Sequence, residues 1–415
     1  MNLVWFGLWW VARTVGSPAT VEPELCLRGG QVVDPVAHTV VAADVRIAGS
    51  KVQQVKAGAC RKDSLDVQGA FVLPGFVDAH VHSWGNPSPV AEADDEEWGD
   101  EKNAQRMLQA GVVGFLSMTG EPEDLALRDR VRASPAHAQI VLASPTGSYE
   151  NGDRQARARI RAMAATKPDF IKLFAGGPQL ATMMDEAKTM RLPTVVHIAS
   201  WPDALVAIEA GATAITHLED EVVIPDNVVQ AMLKHKTVSI PTMAVQCDMA
   251  MLAQPAAPEA AWLRDPLLAR VAGKRVLAQY TKPEAWSART RRTIEWQSAG
   301  CKANDFASIK KLVKAGVPIV AGSDTGNLGT FQGYSLHREM HLLVQAGLSV
   351  WQALAAGTTS ASRFLGLPYG VRVGDEASLV VLDRSPLADI RNTTTIRHVI
   401  RHGRLVPRGP AVLPR

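Results

Sequence analysis

Six residues able to bind a divalent metal occur in this chain in a fixed order, each closing a short apolar run. They are His80 and His82 in PGFVDAHVH, Lys172 in PDFIKLFAGG, His197 in PTVVHIAS, His217 in AITHLED and Asp324 in PIVAGSDTG. His80 and His82 are two apart, so on a strand both project to one side and both imidazoles can enter one coordination sphere. Taken singly, none of these signals carries much. An H-x-H pair is a common coincidence, a lone histidine is usually a satisfied core residue, and Asp324 alone reads as a loop or capping residue. Lys172 needs its own chemistry, because an ammonium group with a pKa near 10.4 is a poor ligand beside dications. Its neutral amine can react with carbon dioxide to give a carbamate, a carboxylate-like anion whose two oxygens can bridge two metals. The plain alternative is a lysine engaged in a salt bridge. The joint order and the placement at run ends favour a metal site.

The elements that must position these side chains follow from the texture of the chain. Between about 73 and 370 an apolar run and then a helical stretch alternate: FVDAHV, VVGFLSM, IVLASP, FIKLFA, TVVHIA, AITHL, TVSIPTM and PIVAGSD are the expected strands. Helices are expected at 100–110, 154–166, 179–191, 203–210, 226–236, through a longer region around 257–315, and at 335–366. Eight such units predict an α/β fold, a (β/α)8 TIM-type barrel with a parallel sheet. The six residues then lie at the carboxyl ends of strands 1, 4, 5, 6 and 8, the face where such barrels carry their active sites. Residues 25–72 alternate with period two between Gly-rich breaks, and the texture returns in ASLVVLDRSP and TIRHVIRHGRLV. Both chain ends are therefore expected to build one small β-sandwich around the inserted barrel. The division is 1–22 a hydrophobic extension, 23–72 and 370–415 the two parts of the sandwich, and 73–369 the barrel.

At 415 residues the chain has room for a barrel of roughly 250 residues and a smaller module. A formal net charge of +3, with no basic stripe interleaved with aromatics, argues against nucleic acid. Arg397, Arg401, Arg404 and Arg408 read as a solvated basic face. The apolar run Leu3–Ala12 is too short to span a bilayer. Followed by Ser17-Pro18-Ala19, it fits a secretory signal peptide, although no Lys or Arg precedes it. Export to a periplasmic or extracellular location is the expectation, the cytoplasm the alternative. The four cysteines fall in pairs by region, Cys26 with Cys60 and Cys247 with Cys301, which allows two disulfides in an oxidising compartment.

With these motifs the chain resembles the amidohydrolase superfamily of metal-dependent hydrolases, and within it the branch of Xaa-Pro dipeptidases, related carboxypeptidases and imidazolonepropionase. The likeness runs from Gly29 to Val406 and includes ALAAGTTSASRFLGL and VRVGDEASLVVLDRSPLADI. It implies a binuclear centre of divalent ions, most often zinc. One ion would sit on His80, His82, Lys172 and Asp324, the other on His197, His217 and the shared carbamate of Lys172. A bridging hydroxide would attack the carbonyl carbon, with Asp324 as general base and then general acid toward the leaving nitrogen. One departure is Ala377-Ser378-Leu379, where the family usually carries an acid in the middle position.

Specificity is expected in the loops after the strands. Trp84 follows the H-x-H closely, and Tyr149 and Arg154 in the loop after strand 3 are candidates to bind a substrate carboxylate. The acidic loop Glu92–Glu101 reads first as a solvated loop feeding a helix and second as a lure for a cationic substrate group. His337 and His341 flank Glu339 with a spacing that does not match a zinc-binding helix, so they read as supporting or structural. The expected activity is hydrolysis of a C–N bond in a dipeptide, an N-acyl amino acid or a related small amide by a homo-oligomeric enzyme. The alternatives are a ring-opening hydrolase of cyclic amides, lactones or imidazolones and, remotely, a non-catalytic scaffold.

Overall fold

A computed structural model describes residues 24–90, 98–146, 152–252, 258–298 and 301–408. The hydrophobic extension 1–22, most of the acidic loop and Tyr149 lie outside the described residues.

The chain opens with five strands: β1 (Glu24–Asp34), β2 (Thr39–Ala48), β3 (Lys51–Lys56), β4 (Leu65–Asp66) and β5 (Phe71–Pro74). Seven further strands alternate with helices. They are β6 (Phe76–Val81), β7 (Val112–Ser117), β8 (Gln139–Leu142), β9 (Ile171–Phe174), β10 (Thr194–His197), β11 (Ala214–Thr216) and β12 (Val238–Ile240). Strands β13 (Leu379–Leu382), β14 (Ile396–Arg401) and β15 (Arg404–Leu405) close the chain.

Both chain ends meet in one eight-stranded sheet of order β15-β14-β13-β5-β1-β2-β3, with β4 beside β1. The seam is the antiparallel β5–β13 pair, Leu379 opposite Pro74 and Val381 opposite Val72. Alternate residues of these strands, among them Leu27, Val45, Ile47, Val72, Leu379 and Ile400, form a compact apolar cluster separate from the main core. Burying such side chains is what holds the two ends together, at roughly 1.5–3 kcal/mol each.

All pairings among β6 to β12 are parallel. The strands run in two ladders, β6-β7-β8 and β9-β10-β11-β12, joined by a parallel bridge between Ala143 and Phe170. Parallel strands covered by helices on both sides read as continuous apolar runs, and β6 and β7 are buried along their whole length. Segment 318–325, expected as the eighth strand, forms no ladder. It makes isolated parallel bridges, Ile319 to Ser239 and Thr325 to Val81. Backbone bonds from Val320 N to Ser239 O (3.1 Å), Ala79 N to Ala321 O (2.9 Å) and Asp324 N to His80 O (2.8 Å) carry the hydrogen bonding from β12 back to β6. Gly322 explains the close approach, since a Cβ there would collide with Ile240 and His80.

The helices follow the expected pattern with three differences. Pro122–Val131 and Met243–Leu252 are additional helices. The long helical region resolves into short pieces, ending in Ala288–Ser298 and Ala303–Ala315. The last stretch breaks into Tyr334–Gln345, Val350–Ala356 and Thr359–Phe364, with Ser349 capping the second through Gln352. Cys26 is bonded to Cys60 and Cys247 to Cys301, leaving no free cysteine.

Arg401, expected on a solvated face, is fully buried between the sheet and the helical layer. Its guanidinium donates to Glu376 Oε1 and Ser378 Oγ (3.1 Å each), Gln139 Oε1 (3.1 Å) and the carbonyls of Arg132 and His137 (3.3 and 3.4 Å). Ser378, where the resemblance leads one to expect an acid, is part of this network, and Glu376 two positions earlier supplies the carboxylate.

Candidate metal centre

His80 is the fifth residue of β6 and is buried, and His82 follows on the same side of the chain. Backbone bonds tie this stretch to the segment that carries Asp324: Asp324 N to His80 O, and His82 N to Thr325 O at 2.6 Å. Asp78, also in phase with the two histidines, braces the arrangement from below. Its Oδ1 accepts from Ser323 N (2.9 Å) and His80 N (3.2 Å), and its Oδ2 accepts from Ser323 Oγ at 2.6 Å. The sequence reading passed over Asp78, although the alternation D-x-H-x-H already placed it on the ligand side.

Asp324 turns into the centre with φ 52°, in the left-handed region that non-glycine residues rarely occupy. Its Oδ1 lies 3.2 Å from His80 Nε2 and 3.2 Å from His82 Nε2. Neither approach is a hydrogen bond, for Asp324 Oδ1 and both ring nitrogens of His80 are buried without a hydrogen-bond partner. These three residues are the group whose ligand atoms converge closely enough to hold one ion among the described residues. Three converging donor atoms of the types that bind zinc, two of them buried and unpaired, fit a metal.

Lys172 is the second residue of β9, and it is buried, with its Nζ 5.8 Å from the Phe174 ring centroid. Burial pushes its ammonium down to about 8, partly opposed by the charge of Asp324. That enlarges the neutral amine fraction, the form that reacts with carbon dioxide. His197 ends β10, where burial and then the Lys172 charge push it down to about 4. His217 follows β11 with φ 72°, also left-handed, and is held well below the usual imidazole range by burial and then by His197. Burial likewise pushes His80 down to about 3. Neutral imidazoles are the form that metals bind.

The rings connect the set. Centroid distances are 5.6 Å for His80–His82, 5.0 Å for His80–His217 and 4.4 Å for His197–His217. All six residues line one cavity of about 550 Å³. Its apolar wall includes Phe174, its ring centroid 4.5 Å from that of His197 and tilted 44° to it, with Ile198 and Val245. Its rim carries Glu219, Asp220 and Glu221 opposite Lys302, whose Nζ lies 3.3 Å from Asp220 and 2.5 Å from Glu221. No sequence signal set these rim residues apart, because they come together only across 80 positions of chain. Trp84 is 57% exposed, with its ring 5.9 Å from that of His82, outside the cavity lining. Arg154 is exposed on the first turn of helix Asp153–Ala165 and does not line the cavity either.

Comparison with known proteins bears on this geometry. The model of the amidohydrolase family matches residues 71–406. A Xaa-Pro dipeptidase crystallised with methionine in its active site superimposes with a TM-score of 0.74 at 17% identity, covering 92% of this chain and 99% of the other. A protein described as a putative prolidase from Bifidobacterium longum gives 0.72 at 21% identity, covering 95% and 97%. At that identity the likeness concerns the fold. Among curated sequences, adenine deaminase of Deinococcus radiodurans is 43% identical over 63 residues, 15% of this chain and 12% of the deaminase. The match thus spans about an eighth of that relative's length.

Proposed function

Starting from the fact that the chain belongs to the amidohydrolase family, we propose that it hydrolyses the amide bond of a small substrate, a dipeptide or an N-acyl amino acid. It is an enzyme, a hydrolase of carbon–nitrogen bonds. The observation that carries the metal-dependent part of the reading is the approach of Asp324 Oδ1 to 3.2 Å from His80 Nε2 and 3.2 Å from His82 Nε2, with no hydrogen bond to either. The return of the hydrogen bonding from β12 through 318–325 to β6 supports reading the helix-covered strands as a closed (β/α)8 barrel. In that reading the sheet from the two chain ends is the small β-sandwich.

In this proposal His80, His82, Lys172 and Asp324 would hold one divalent ion, and His197, His217 and Lys172 would hold a second, zinc being the first choice. Bound there, the ions supply Lewis acidity and lower the pKa of water. Lys172 takes part as a carbamate, formed when its neutral amine adds carbon dioxide and releases a proton. Asp324 receives the proton of the attacking water on its carboxylate and delivers it to the leaving nitrogen, which departs poorly without one. Phe174, Ile198 and Val245 shield that exchange from bulk water on one wall. The Cys26–Cys60 and Cys247–Cys301 bonds support export to an oxidising compartment.

The test is amine release from a panel of dipeptides and N-acyl amino acids by zinc-loaded protein, run beside Asp324→Asn. Cleavage that disappears in the variant supports the reading, and the preferred residues map the cavity. Silence across the panel from metal-loaded protein sinks the open-chain reading and moves the assignment to cyclic amides and lactones.

A further inference from the structure

Thr242 directly follows Pro241 at the end of β12 and is 1% exposed. It too lies in the left-handed region, with φ 55°. For a β-branched residue this is an uncommon conformation, and such strain persists only where surrounding structure enforces it. Glu339 does so. From the fully buried face of helix Tyr334–Gln345 its Oε2 accepts from Ala244 N at 2.7 Å, fixing the first turn of helix Met243–Leu252 immediately after Thr242. The central residue of the H-x-E-x-H stretch thereby acts on the cluster at one remove.

Two contacts of the Thr242 hydroxyl matter. Its oxygen lies 2.7 Å from the Pro241 carbonyl oxygen and 2.7 Å from His217 Nδ1. A hydroxyl has one hydrogen. Pro241 O is purely an acceptor, so the hydrogen is directed to it, and the hydroxyl oxygen must then accept from His217 Nδ1–H. In a neutral imidazole that leaves Nε2 as the bare nitrogen, on a ring whose centroid lies 5.0 Å from that of His80 and 4.4 Å from that of His197.

We propose that Thr242 is a positioning residue that fixes His217 in the Nδ1–H tautomer and so presents its Nε2 lone pair to the metal centre. The inference rests on the metal reading given above only for its consequence, since the tautomer exists in metal-free protein as well. Partners of this kind commonly matter about 10–100-fold in metal affinity.

The experiment uses full-length protein with ¹⁵N-labelled histidine, metal-free, with the His217 signals assigned by comparison with His217→Gln. The expected result is a protonated Nδ1 and an unprotonated Nε2 in the native protein. Thr242→Val, which keeps the shape and removes the hydroxyl, mixes the two tautomers, and Thr242→Ser restores the native pattern. Zinc affinity measured by chelator competition falls about 10–100-fold in Thr242→Val and recovers in Thr242→Ser. A native His217 protonated on Nε2 overturns the proposal, and so does a Thr242→Val protein indistinguishable from native in both measurements. Should Thr242→Val fail to fold, the native tautomer still decides. Native protein that takes up no zinc at all would remove the metal reading while leaving the tautomer result to judge Thr242.

Discussion

Two buried polar clusters in this molecule are handled in opposite ways. Around Arg401, where the chain-end sheet meets the helical layer, a fully buried guanidinium donates to Glu376, Ser378, Gln139 and two backbone carbonyls. At the ends of β6 and the 318–325 segment, Asp324 Oδ1 and the ring nitrogens of His80 are just as buried and have no hydrogen-bond partner. A polar atom buried without a partner costs about 1–3 kcal/mol. The same chain therefore satisfies a demanding cation in one place and leaves several ligand atoms bare in another. Left-handed backbone at His217, Thr242 and Asp324 adds to the cost at the second place. The difference fits the proposal that the second cluster is prepared for an ion, its ligand atoms being left bare by the residues around them.

The comparison can be broken at either cluster. The largest effect is expected at Asp324: Asp324→Asn lowers turnover at least about a hundredfold, the scale for acid–base residues, while urea unfolding stays cooperative. Near-native turnover would take Asp324 out of the proton transfer. Next comes Arg401→Met, which leaves Gln139 and the carbonyls of Arg132 and His137 without their donor and Glu376 with only His402 and Ser378 as partners, and costs about 3–5 kcal/mol in denaturant unfolding. Its turnover per folded molecule should match native protein, and a selective loss of turnover would show that the two clusters are coupled. Removing the Cys26–Cys60 bond by paired serine substitutions should cost about 2–4 kcal/mol. A calorimetric melt checks this, and an unchanged melting temperature would count against a role for the bond in joining β1 to the loop between β3 and β4. The smallest change is expected for Trp84→Ala, which shifts stability by about 0.5 kcal/mol or less and, from its place outside the cavity lining, leaves KM near native. A KM that rises several-fold would return Trp84 to the substrate-binding candidates.

How much of this could be read in the sequence depends on the range of the interaction. The apolar runs of β6, β7 and β9 to β12 announce themselves because a strand buried on both faces is mostly apolar, and the candidate ligands stand out as polar residues within or just after such runs. Segment 318–325 has the same apolar texture yet makes only bridges, since its conformation answers to Gly322 and Asp78 rather than to local propensity. Arg401 reads as surface from its neighbours Arg397 and Arg404, and its burial depends on Glu376 and Gln139, which are remote in sequence. Thr242 and Glu339 are 97 positions apart and meet only through the turn at Ala244. Contacts of that kind leave no periodicity to find.

The central claim, that the bare cluster is a metal centre completed by a carboxylated lysine, is tested most directly by metal content. Purified protein would be dialysed against zinc and bicarbonate, then against metal-free buffer, and zinc per chain measured by mass spectrometry beside Lys172→Met. About two ions per chain in native protein, falling to about one or fewer in the variant, is the predicted result. Native protein that retains no zinc, or a Lys172→Met protein that retains as much as native, would contradict it.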